Sequence, residues 1–168
     1  GNWLNNQSGL SLDDHPTTVE FNGSSGIRSI TGNADFYHVI VSGAAPVQVF
    51  LPQSLAGDLT VTGTSLELFN TMNRVTAGGT LTIGDGATLK LGGANSFPAN
   101  FATHVLSPTS TVEYNGFGVN QLVSPETYGN LLIAATGTKT IPAGTTVAGN
   151  ATMKFGAVVL ATGGITVD

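Results

Sequence analysis

Few residues of this chain could do chemistry, and they are scattered. Asp13-Asp14-His15 is the one cluster of ionisable side chains. Two carboxylates beside an imidazole could hold a divalent cation through oxygen ligands, which makes Asp13 and Asp14 weak candidates for a metal site. The same tripeptide stands directly before Pro16 and reads more simply as a solvated loop. Gly84-Asp85-Gly86 resembles a fragment of a calcium loop, but the repeated acidic positions of such loops are missing. It is better read as a turn, where Asp-Gly accepts positive φ. Glu20 and Glu113 could be weighed as a glycosidase pair, which needs two carboxyls about 5 to 10 Å apart, one with a raised pKa. Both sit between apolar neighbours, as an outward residue on a half-buried strand would. His15, His38 and His104 share no metal-ligand spacing. Neither a Gly-x-Ser-x-Gly elbow nor a phosphate-binding loop occurs. These residues point away from an enzyme and imply no cofactor.

Two patterns suggest binding. The pairs Thr60/Thr62, Thr80/Thr82 and Thr138/Thr140 would suit ice if they stacked on one face in successive coils, though outward threonine is ordinary on strands. Aromatics such as Phe21, Phe50, Phe69 and Tyr114 could include a platform for surface glycans. Most of them lie in apolar alternation, which predicts a core.

Composition narrows the class. Charged residues make up 9 % of the 168, against roughly 25 % in an average soluble domain. Apolar residues make up 40 %, too many for disorder. Thr, Val and Ile favour strands, while Gly and Asn favour tight turns. A net charge of −5 and five dispersed basic residues argue against nucleic acid. No apolar run approaches eighteen residues, so no membrane insertion is expected. Cysteine is absent. The start at Gly1, without Met, fits either a processed form or a segment of a longer protein.

The elements that must position these residues are short strands. From Thr17 onward, alternating stretches such as Val19-Phe21, Val47-Val49-Leu51 and Leu89-Leu91 are bounded by Gly, Asn or Pro about every ten positions. Ile27 and Ile30 are expected in one strand, and 92–108 is expected to be irregular. Helical spacing is hard to find. An internal repeat is clearer. Thr18-Val19-Glu20-Phe21-Asn22-Gly23 returns as Thr111-Val112-Glu113-Tyr114-Asn115-Gly116, an offset of 93 (112 − 19). Phe36–Val41 is echoed at 128–133 and Ala56–Val61 at 148–153, both offset by 92. The first repeat, with an N-terminal strand segment, covers 1–107. The second is shorter, covers 108–168 and packs against it.

Short strands of even spacing, Gly- and Asn-rich turns and few charges to blunt exposed edges favour an all-β fold of solenoid type, a parallel β-helix. Tandem β-sandwiches or jelly rolls are the alternative. Seven or eight coils spaced about 4.8 Å apart would form a stack of roughly 35 Å.

The order GNWLNN, TVEFNG, FYHVIVSG, LAGDLTVTG, LTIGDGATLKLGG resembles a β-rich repeat of secreted bacterial surface proteins and adhesins. The resemblance implies a β-solenoid or β-rich stalk, an extracellular or cell-surface setting, and no catalytic residues. In that repeat, a stretch like Leu160–Asp168 runs on into a Gly-Asn-Trp unit such as the one that opens this chain. The expected function is therefore an extracellular structural protein, a head-to-tail fibre subunit or adhesin stalk module. Its partner would be itself, through an interface at Trp3, Leu4, Leu10, Ile165 and Val167, and further partners could include surface glycans. A carbohydrate- or ice-binding solenoid is the alternative function, and a polysaccharide-active enzyme the third.

Overall fold

Alternation of apolar and polar residues over three to six positions leaves one face of each segment to be buried, and the chain does this by coiling. The computed structural model describes residues 2–4, 15–94, 97–154, 156–161 and 166–167, and all regular elements among them are β-strands. After β1 (Trp3–Leu4), the first coil carries β2 (Thr18–Phe21), β3 (Arg28–Thr31) and β4 (Asp35–Phe36). The second carries β5 (His38–Val41), β6 (Val47–Val49) and β7 (Gln53–Leu55), and the third β8 (Leu59–Val61), β9 (Ser65–Leu68) and β10 (Met72–Arg74). β11 (Gly78–Ile83) and β12 (Thr88–Leu91) follow. Next come β13 (Phe101–Leu106), β14 (Thr111–Tyr114) and β15 (Gln121–Leu122), then β16 (Thr127–Tyr128), β17 (Asn130–Ile133) and β18 (Gly137–Ile141). The described chain closes with β19 (Thr146–Val147), β20 (Ala151–Met153), β21 (Ala157–Ala161) and β22 (Thr166–Val167).

Strands pair in parallel with their equivalents one coil away, as in Val39↔Leu59↔Leu81, so the fold is a β-solenoid of about seven turns. The sandwich alternative, built on antiparallel sheets, is set aside. One long sheet, β1-β3-β6-β9-β12-β14-β17-β20, runs through the described rod. The other two faces are each made of two successive sheets. The five-stranded sheet β13-β11-β8-β5-β2 and the three-stranded β10-β7-β4 serve the first half. The sheets β16-β19-β22 and β15-β18-β21 serve the second. Inward columns such as Ile30, Val49, Leu68 and Leu91 on the long sheet are fully buried. Each such aliphatic side chain contributes about 1.5–3 kcal/mol.

The sequence repeat and the coil do not coincide. β2 of the first copy corresponds to β14 of the second, yet β2 lies in the five-stranded sheet and β14 in the long sheet. Likewise β5 corresponds to β17 and β8 to β20, with the same change of face. The second copy is therefore turned by one face about the rod axis. Twelve strand positions separate the copies, and the 97–100 segment stands in for a thirteenth. Arg74 N–H donates to the Ala99 carbonyl (3.1 Å) and Gly78 N–H to that of Asn100 (3.1 Å), as a strand would allow. Thirteen positions on a three-faced coil are four turns and one third.

Two expectations are corrected. Part of the stretch expected to be irregular, Phe101–Leu106, is strand β13, paired with β11. His104 takes the inward position opposite Leu81, and a polar residue there hides the alternation. Ile27 is not in the strand with Ile30. It lies exposed at a corner, and β3 starts at Arg28.

Candidate functional site

The residues that the sequence marks for metal binding, Asp13 and Asp14, and the interface residues Leu10 and Ile165 lie outside the described residues. Among the described residues no group of three or more His, Cys, Asp or Glu could hold a metal ion, and no helix is long and apolar enough to cross a membrane. Trp3 and Leu4 form β1 at one edge of the long sheet, in register with Ile30 and Thr31. Val167 lies in β22, paired with Val147 at the other end of the rod.

Four coils and a change of face separate the two glutamates. Glu20 points outward from the five-stranded sheet and accepts from Ser42 Oγ at 2.5 Å. Glu113 points outward from the long sheet, with Lys154 Nζ 3.9 Å away. Glu113 belongs to an outward column whose next members are Lys90, Glu67 and Gln48. Gln48 Nε2 donates to Glu67 at 2.8 Å. Alternating charges thus stand one rung apart along this column.

Asp85 forms a turn staple. Hydrogen bonds from Ser107 and then Thr109, whose Oγ1 lies at 2.9 Å, hold its exposed carboxyl below the ordinary range. Gly86 beside it has φ +69°, the left-handed conformation expected for Asp-Gly. The Thr-x-Thr pairs do not share a face. Thr80/Thr82 and Thr60 stand on the five-stranded sheet, Thr62 lies at a corner, and Thr138/Thr140 stand on β18. The flat array that ice requires is also interrupted by His38 and Asp58 in the column of Thr80.

Phe50 and Phe69 are partly exposed and stack at 5.1 Å with an interplanar angle of 7°. Successive rungs place one ring above the other, so the facing sides of the two rings cover each other. Beneath Phe69, a Cβ built on Gly92 would lie 3.2 Å from its ring. A sugar platform needs an open ring face, and stacking takes up one face of each ring here.

The densest polar cluster lies inside the rod, where sequence reasoning did not place one. Ser124 N–H donates to Tyr114 Oη (2.9 Å), the two tyrosine hydroxyls lie 3.0 Å apart, and Tyr128 Oη donates to the Ser124 carbonyl (2.7 Å). Ser124 Oγ donates to Glu126 Oε1 at 3.1 Å, and His104 Nδ1 lies 2.8 Å from the same oxygen. Phe97 sets its ring edge-on to His104 (5.1 Å) and Tyr128 (6.5 Å). Burial pushes the Tyr114 hydroxyl up to about 12 and that of Tyr128 further in the same direction. The two neutral phenols thus clamp Ser124, Tyr114 accepting from its N–H and Tyr128 donating to its carbonyl.

Lys139 is fully buried at an inward position of β18, equivalent to Val47 in the first copy. Its ammonium donates to the carbonyls of Gly116 (2.9 Å), Val119 (3.0 Å) and Thr136 (3.1 Å). Burial lowers its pKa. The lysine ties two turns together, sharing the Thr136 carbonyl with the Gly118 amide.

The last described rung offers a different kind of site. Met153 and Val167 occupy inward columns, yet are 55 % and 54 % exposed. Their neighbours one coil earlier, Ile133 and Val147, are 1 % and 0 % exposed. No family model, curated protein or solved structure matches this chain.

Proposed function

We propose that this chain is an extracellular structural protein of a bacterial surface, a subunit that stacks head to tail into a fibre or serves as a module of an adhesin stalk. The observation that carries the reading is the pair of half-exposed inward side chains, Met153 and Val167, on the last rung. Apolar side chains that point along a core column are stabilised when a further rung covers them. The strand edges beside them have backbone groups to offer a neighbour.

The order of faces supports the same reading. The described rod closes with β20 on the long sheet, then β21, then β22, and it opens with β1 on the long sheet. A second copy can therefore set β1 on β20 and β2 on β22 without turning about the axis. Such a contact joins unlike surfaces, does not close on itself and propagates.

Substituting Met153→Lys and Val167→Lys together places two charges where the next rung must lie. The double variant is expected to keep the β-sheet circular dichroism of the monomer and to lose assembly in light scattering. A wild-type chain that stays monomeric at millimolar concentration would overturn the proposal.

A further inference from the structure

Two of the three faces of the rod change sheets at one level, and the third does not. The five-stranded sheet ends at β13 and its successor starts at β16, with no ladder between them. The three-stranded sheet ends at β10, backed by Ala99 and Asn100, and its successor starts at β15. At the same level the long sheet continues through β12, β14 and β17. No backbone hydrogen bond joins 101–106 to 123–128 among the described residues.

Side chains do the joining instead. His104, on the last strand of the five-stranded sheet, reaches Glu126, next to the first strand of its successor, at 2.8 Å. Phe97 touches Tyr128 across the same level. Ser124 and Tyr128 are clamped by Tyr114, which belongs to the uninterrupted sheet. The closed arrangement carries a cost. With Nδ1 facing the carboxylate, His104 Nε2 is buried with no partner among the described residues. An orphaned buried polar atom is destabilising, and water would relieve it if the level opened.

We propose that this level is a joint built into the rod, at which the two halves pivot on the long sheet and part on the side of β13 and β16. The long sheet is the hinge because its ladder alone is unbroken, and the His104–Glu126 pair with the Phe97–Tyr128 contact is the latch. Opening exposes His104 and Glu126 to water and leaves the Tyr114–Ser124–Tyr128 clamp intact, since that clamp lies wholly on the far side of the break.

Pairs of spin labels on the whole chain test this by pulsed electron resonance. Cysteines at Thr62 and Ala148 span the joint on the parting side, about four rungs or roughly 19 Å apart. Cysteines at Gln48 and Thr152 span it on the long sheet, about five rungs or roughly 24 Å apart. The Thr62/Ala148 distances are expected to be broad with a longer population, and the Gln48/Thr152 distances narrow. Glu126→Ala is expected to raise the longer population severalfold on the first side only. The unsubstituted labelled chain decides the matter even if Glu126→Ala does not fold. Two narrow distributions would overturn the joint, and two broad ones would overturn the long sheet as its hinge.

Discussion

His38 and Asn130 stand at equivalent positions of the two copies and do the same work with different chemistry. His38 Nδ1 accepts from the Asp58 amide at 2.9 Å, and Asn130 Oδ1 accepts from the Asn150 amide at 3.0 Å. What the position requires is an acceptor for the amide that opens the next coil, so an imidazole without a metal-ligand partner is explained by backbone satisfaction. Tyr114 and Tyr128 are the residues for which pH gives a direct test. Both hydroxyls have pKa values raised above 10.0 by burial, so their stabilisation is complete below pH 10. As pH rises from 10 to about 12 the unfolded chain ionises first, and stability falls through that window. Lys139, with a lowered pKa, has the opposite sign, its cost appearing as pH falls below 10.5. Tyr128→Phe is expected to flatten the fall above pH 10 in urea unfolding. An equally steep fall in Tyr128→Phe would place the cause elsewhere.

At the scale of the strand and the corner, alternation could be read directly and exceptions could not. Val19/Phe21, Leu89/Leu91 and Val112/Tyr114 announce their strands because each inward residue is apolar. β13 was hidden because its inward residue is His104, and Lys139 was hidden because a lysine reads as exposed. The only signal for Lys139 is its even spacing with Ile141, two residues on in β18. Corners were readable as glycine, but the reason is not always conformational freedom. A Cβ on Gly63 would sit 2.1 Å from the Gly43 carbonyl oxygen, and one on Gly43 would sit 2.3 Å from that of Gly23. These glycines stack so closely that backbone meets backbone. Gly63→Ala must push two coils apart, and is expected to destabilise the chain by about 2–4 kcal/mol, in the range of other overpacked or strained sites. Gly86→Ala, with nothing within 4 Å, meets only the strain of its positive φ, and about 1 kcal/mol is expected. Denaturant midpoints compare the two, and an equal loss in both would remove the close-approach explanation.

Across the whole molecule, the duplication was plain in the sequence but its geometry was not. An offset of 92 or 93 residues says nothing of faces. Only the pairing of β14 with β12 rather than with a five-stranded-sheet strand shows the second copy turned by a third of a coil. That turn, together with the four coils between the copies, keeps Glu20 and Glu113 apart, and it accompanies the change of sheets on two faces. It leaves the chain of faces intact from the first described rung to the last, the condition for end-to-end addition.

Fibre diffraction from the purified chain tests head-to-tail stacking most directly. With eight rungs per copy in the long sheet, threads one solenoid wide are expected. They should give a reflection near 4.8 Å along the thread axis and an axial repeat of about 38 Å. Rods that remain single at millimolar concentration, or threads with the 4.8 Å spacing across their axis, would contradict it.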